Sequence, residues 1–217
     1  MANSEKIKKE LMFEYTEQQV KDLLAYIDLV LEKNAFINLT AIKDPGEAIE
    51  KHLFDSLQIT KLEEYKTANR IIDIGTGAGF PGALLAIASP DKEFVLVDST
   101  LKRLKVIDEF ADILGIKNIT TVHARAEELA RDPEYAEAFD LCVSRAVANL
   151  TTLSSWCLPF VKKGGCFVAY KGENYQEELD AATETIKKLH AEVKRITNYP
   201  QDYKEISNHV LLTFEKK

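Results

Sequence analysis

The chain has 217 residues, 46% of them hydrophobic, and a formal net charge of −7. That size suits one globular domain with a core that needs no covalent staples. The acidic balance argues against a general nucleic-acid binder, whose footprint is a basic domain, but leaves room for a local basic face.

In chain order, the charged opening MANSEKIKKELMFEY lacks a long apolar run, and nowhere do about eighteen apolar residues follow one another, so neither a signal peptide nor a membrane span is expected. Up to about Lys66 the pattern is helical. Thr16 and Gln19 have capping-box spacing, and Val20, Leu23, Leu24, Ile27 and Leu31 recur at helical intervals. NAFINLTAIK reads as a loop or extended link. Asp44 then N-caps a helix through DPGEAIEKHLFDSL, with Pro45 at its first position. From Arg70 the rhythm becomes strand, turn, helix. Strands are predicted over Ile71–Ile74, Phe94–Val97, Ile119–His123, Phe139–Ser144 and Gly165–Lys171, with helices including Leu101–Leu114 and Leu150–Phe160 between them. Such alternation predicts right-handed βαβ units on a parallel sheet. After a helix over Gln176–His190, the runs Glu192–Ile196 and Val210–Phe214 are expected to add a hairpin with one antiparallel edge strand. Three widely spaced cysteines, Cys142, Cys157 and Cys166, form no CxxC or Cys/His cluster. They indicate neither a disulfide framework nor a metal site, and fit small core residues in a reducing, cytosolic compartment.

The densest signal is IIDIGTGAGFPG, Ile71 to Gly82. Gly75, Gly77 and Gly79 follow the first strand directly, where open α/β sheets bind ligands and where glycine admits positive φ and close approach. Asp98 ends the second strand, placed to accept hydrogen bonds from ribose hydroxyls. The ligand expected is a nucleoside. A dinucleotide fingerprint fits badly, because GxGxxG would have to start late, at Gly77, and contain Pro81. No GxxxxGK[ST] is present. The spacing D-x-G-x-G-x-G resembles motif I of S-adenosylmethionine-dependent methyltransferases.

Four blocks in order, IIDIGTGAGFPG, LVDSTLKR, VSRAVANL and AYKG, preceded by NLTAIKDPGEAIEKHLFDSL, resemble the small-subunit rRNA methyltransferase G family, also known as glucose-inhibited division protein B. The resemblance covers Asn38 to Gly172, and departs where the family often has a proline soon after Gly82 and this chain reads ALLAI. It implies a Rossmann-like class I methyltransferase: a mostly parallel seven-stranded sheet in a cofactor-binding domain over 67–217, with an N-terminal helical extension over 1–66 as a substrate-side lid. It implies methyl transfer from S-adenosylmethionine to N7 of a guanine in the decoding region of 16S rRNA. The protein is expected to be a cytoplasmic monomer, and its acidic charge favours the small ribosomal subunit or its assembly intermediate over bare RNA as substrate. Carried over residue by residue, the cofactor positions fall on Gly75, Phe80, Asp98, Ser99, Thr100, Ala126, Glu127 and Arg145. Phe80 equally reads as a core aromatic, Ser99 and Thr100 as helix caps, and Glu127 as a helix-start acid.

The chemistry fits those implications. The block after strand four lacks the [DN]PP[YF] that holds an exocyclic amine, and no Pro-Cys nucleophile occurs. Guanine N7 needs neither, since its lone pair is already the nucleophile. Arg145 is expected to bind guanine O6, a phosphate or the cofactor carboxylate, or else to form a structural ion pair. Lys171 is a candidate RNA contact or a surface lysine. His52 and Asp55, three apart, share a helix face and are candidates for orienting the base. Lys102, Arg103, Arg125, Arg145, Lys162, Lys163 and Lys171 are expected to form a basic site edge. A methyltransferase for another substrate, a non-catalytic ribosome-assembly factor and, more remotely, a nicotinamide oxidoreductase stay open at this point.

Overall fold

The computed structural model describes residues 2–145, 148–203 and 205–217. Helices α1 (Ala2–Glu14) and α2 (Glu17–Asn34) lead in. The Thr16–Gln19 capping box forms as expected, satisfying the first N–H groups of α2. Asp44 caps α3 (Pro45–Ala48) by accepting from Glu47 N at 2.8 Å. The helix then departs from a simple α pattern. It runs as a π-helix over Ile49–Phe54, then α4 (Asp55–Leu57), a 3-10 turn over Gln58–Lys61, and α5 (Glu63–Thr67).

The sheet strands are β1 (Arg70–Ile74), β2 (Glu93–Asp98), β3 (Ile119–His123), β4 (Phe139–Arg145), β5 (Val161–Lys171), β6 (Ala191–Asn198) and β7 (Val210–Lys216). Between them lie α6 (Gly82–Ala88), α7 (Leu101–Leu114), α8 (Ala126–Leu129), α9 (Leu150–Cys157), which continues as a 3-10 turn to Phe160, and α10 (Tyr175–Lys188). The order is β3-β2-β1-β4-β5-β7-β6, with β1 to β5 parallel. The expected antiparallel edge strand is corrected here. Antiparallel β7 inserts between β5 and β6, so the edge is β6. Burial explains the choice: β7 is apolar and buried along most of its length, whereas β6 is mostly exposed and carries Glu192, Lys194 and Arg195.

Successive side chains of β1 point to opposite faces. Ile71 joins the core that α1, α2, α6 and α7 cover, while Ile72 and Ile74 join the core beneath α8, α9 and α10. The first of these cores includes Leu23 and Tyr26 from α2 together with Leu84 and Phe110, so the helical extension and the sheet share one apolar interior. All three cysteines are buried and free. Among the described residues no helix is long and apolar enough to cross a membrane.

Candidate active site

β1 ends in Asp73-Ile74, and the chain then turns through three left-handed glycines, Gly75 (φ 74°), Gly77 (φ 60°) and Gly79 (φ 89°). Their tasks differ. Gly75 and Gly77 line a cavity of about 410 Å³ over the carboxyl ends of β1, β2 and β3. A Cβ on Gly77 would meet nothing nearer than Gly75 O at 4.0 Å. Gly79 faces protein instead, and a methyl there would collide with the Tyr26 hydroxyl and lie 2.8 Å from Ala83 Cβ. At Gly82 it would fall 2.8 Å from Asp73 Oδ2 and 3.0 Å from Leu96. Two of the three glycines in the late GxGxxG, Gly79 and Gly82, therefore serve packing. Tyr26 anchors the turn from outside, donating to Ala78 O at 2.9 Å.

Two buried carboxylates frame this turn. Asp73 accepts from Gly82 N at 2.9 Å through Oδ2, and burial pushes its carboxyl up to about 6. Asp98 accepts from Gly77 N at 3.0 Å and Thr100 N at 2.8 Å, one donor per oxygen. Each oxygen keeps acceptor capacity for a vicinal diol. Ser99, Ala126, Glu127 and Phe80 line the cavity with Asp98. Thr100 does not. It stands at the N-cap of α7, yet its side chain makes no capping bond, and its backbone N–H is what binds Asp98. The capping reading of Thr100 is corrected accordingly. Leu39, Thr40 and Trp156 also line the cavity, and sequence reasoning passed over all three. The first two lie in NLTAIK, expected to be a loop or link and part of the family resemblance, but not to supply site residues.

Arg145, ending β4, closes one side. Its guanidinium donates to Asp55 Oδ2 at 2.6 Å, Lys51 O at 2.9 Å and His52 Nδ1 at 3.2 Å, and lies 5.4 Å over the Phe80 ring. Of its two alternatives the ion pair is formed, and it keeps the residue at the cavity wall. Because arginine only donates, His52 Nδ1 must accept, which places the imidazole proton on Nε2, 2.7 Å from Thr40 Oγ1. Burial, then the Arg145 charge, pushes His52 down to about 3, so the ring is neutral. It stacks on Phe80, centroids 4.5 Å apart. Burial alone would raise the Asp55 carboxyl. A hydrogen bond from His209 Nδ1 at 3.0 Å and the Arg145 charge overcome it and hold the group below the ordinary carboxylate range.

A second cavity of about 400 Å³ lies beyond this partition, over the ends of β4 and β5. Three cations, Lys51, Arg145 and Lys171, face it against two carboxylates, Asp55 and Glu178. Lys171 is no surface lysine: its side chain is 9% exposed and paired with Glu178. The expected basic edge needs one correction. Lys162 and Lys163 stand at the start of β5, at the opposite end of a parallel sheet, where Lys162 pairs with Asp140.

A nucleoside site over β1 and β2 with an open glycine turn and no phosphate loop suits S-adenosylmethionine, and fold and site together define a Rossmann-like S-adenosylmethionine-dependent methyltransferase. The comparisons narrow this. The family model described as rRNA small subunit methyltransferase G matches residues 19–207. A protein of Clostridium novyi named ribosomal RNA small subunit methyltransferase G is 41% identical across 97% of this chain and 90% of its own length. One of that name from Clostridium perfringens is 42% identical across 94% and 84%. The chain belongs to the rRNA small subunit methyltransferase G family. Among solved structures, a Pyrococcus horikoshii protein matches with a TM-score of 0.60 at 14% identity, covering 86% of this chain and 98% of that one. M. jannaschii TYW2 in complex with AdoMet matches with a TM-score of 0.53 at 16% identity, covering 73% and 80%. These two likenesses are of fold.

Proposed function

We propose that this chain methylates N7 of a guanine in 16S rRNA, with the first cavity holding S-adenosylmethionine and the guanine approaching across the wall formed by His52 and Arg145. The observation that carries the site reading is the meeting of two cavities at those two residues, which alone among the described residues line both. The cofactor supplies a methyl group made electrophilic by its sulfonium. Gly75 and Gly77 let the backbone approach it, Asp98 takes the ribose, Ser99, Ala126 and Glu127 border the adenine side, and Phe80 packs beside it. The guanine N7 lone pair forms the new bond to carbon, and the electron pair of the broken bond stays on sulfur. No proton leaves, so no general base is needed, and a His52 held neutral with both ring nitrogens engaged is suited to shaping the wall. Arg145, His52 and Asp55 act by orientation and exclusion of water. Residues 1–66 border the acceptor side through Lys51, His52 and Asp55 and the cofactor side through Leu39 and Thr40, and serve as the substrate-side lid. The substrate is the small-subunit particle or its assembly intermediate, met in the cytoplasm by a monomer.

The test is to map methylated nucleotides in 16S rRNA from cells lacking the protein and from cells carrying an Asp98→Ala copy. One N7-methylguanine should vanish in both. An unchanged map together with intact cofactor binding would favour a non-catalytic assembly factor.

A further inference from the structure

The second cavity contains a pair of side chains whose bonding is unfinished. Lys171, at the end of β5, donates from Nζ to Ala148 O at 2.9 Å and to Glu178 Oε2 at 2.6 Å. An ammonium has three donors, so one remains. Glu178, in the first turn of α10, also receives Leu150 N on Oε2 at 2.7 Å. Its other oxygen, Oε1, makes no hydrogen bond among the described residues. An open donor thus stands beside an open acceptor. Both residues line this cavity and neither lines the cofactor cavity.

That arrangement discriminates between bases. On its Watson–Crick edge guanine places an acceptor, O6, beside two donors, N1–H and the N2 amine. Adenine places a donor, its N6 amine, beside an acceptor, N1, and would oppose both groups. Uracil offers the first two features of guanine but has neither the amine nor an N7. We propose that Lys171 and Glu178 read the acceptor guanine in this cavity, Lys171 donating to O6 and Glu178 accepting from N1–H and the N2 amine. The assignment rests on the methyltransferase reading above and adds how the base is chosen. Bases outside a duplex are commonly read on this edge. Guanine N7 lies on the neighbouring edge, past O6, and so stays free for attack.

The experiment uses small-subunit particles carrying guanosine or inosine at the target position. Inosine keeps N7, O6 and N1–H and lacks only the N2 amine. The wild-type chain should methylate the guanosine particle roughly tenfold or more faster in kcat/KM, the discrimination expected when one hydrogen bond to a carboxylate is lost. In Glu178→Ala that ratio should fall toward one. In Glu178→Gln an amide oxygen still serves Leu150 N–H, but its NH2 now meets the N2 amine, and the ratio should fall as far or invert. Calorimetry with S-adenosylhomocysteine reports whether each variant keeps its fold; if the alanine variant loses that binding, the glutamine variant carries the test. A wild-type ratio near one, or a ratio unchanged in the Glu178 variants, overturns the assignment while leaving the methyltransferase reading intact. A wild-type chain that methylates neither particle removes both.

Discussion

Asp98 carries two duties, closing the glycine turn through backbone N–H groups and presenting its remaining acceptor sites to the cavity. Asp98→Ala should weaken S-adenosylmethionine binding by about 1–3 kcal/mol, the value of hydrogen bonds to a charged group. Calorimetry checks this, and an unchanged Kd would refute the site. His52 gives a pH signature. Unfolded, the imidazole takes a proton near 6.5; folded, only near 3. Its contribution to stability is therefore complete above about pH 6.5 and is lost progressively as the pH falls toward 3. Asp73 works in the opposite sense. Its folded value is raised from 3.8 to about 6, so its contribution is present below 3.8 and lost as the pH rises through 6. Because the two windows overlap, the difference between wild type and His52→Gln isolates the histidine. Urea titrations from pH 7 to 4 should show a shallower acid loss in the variant, and parallel curves would contradict the neutral-imidazole assignment. Asp98 and Gly75 were legible in the sequence because strand end, turn and strand end lie close along the chain. His209 was not: its bond to Asp55 spans 154 positions, and no local pattern announces it.

The capping box of α2 and the Asp44 cap formed as the spacing predicted, since each depends on four consecutive residues. The π-helix over Ile49–Phe54 escaped the reading, because a 3.6-residue period cannot reveal a locally wider turn. Tertiary bonds hold α4, which continues directly from it: Tyr170 donates to Ser56 O at 2.7 Å and Tyr199 to Asp55 O at 3.3 Å. The position of β7 was likewise beyond local sequence, since strand order depends on long-range burial. Packing between α2 and the glycine turn was equally hidden, and it can be tested. Gly79→Ala should destabilise the fold by about 1–3 kcal/mol through overpacking against Tyr26 and Ala83, with further cost from the left-handed φ. Tyr26→Phe alone should cost about 1 kcal/mol for the lost bond to Ala78 O. Together they should cost less than the sum, because the second change removes the atom that the first one strikes. Strict additivity in chemical denaturation would show that Tyr26 is not what restricts Gly79.

For the whole molecule, charge and site position oppose one another. A chain of net charge −7 gains little from counterion release along a long bare RNA. The cations at the site edge, Arg103, Arg125 and Arg145 by the first cavity and Lys51 and Lys171 by the second, make a small basic patch on an acidic chain. Turnover on a small-subunit particle should therefore exceed turnover on a short naked oligonucleotide of the same sequence at matched ionic strength. Added salt should slow the reaction. Arg145→Ala should cost more than Lys162→Ala, whose lysine lies at the opposite end of the sheet beside Asp140. Equal rates on both substrates would mean that local sequence alone is read. The change from helices to alternating strand and helix near Arg70 was visible as a change of rhythm, but the apolar interior shared by the two parts was not, because Tyr26 and Phe110 become neighbours only once the chain has folded.

Arg145 and His52 belong to both cavities, which has a thermodynamic corollary. Whatever ordering of that partition one ligand induces, the other inherits, and by linkage each must alter the other's affinity by the same factor. The factor by which S-adenosylhomocysteine changes the Kd for the small-subunit particle should equal the factor by which the particle changes the Kd for S-adenosylhomocysteine. Replacing Arg145 by alanine should bring that shared factor toward one, making the two binding events independent.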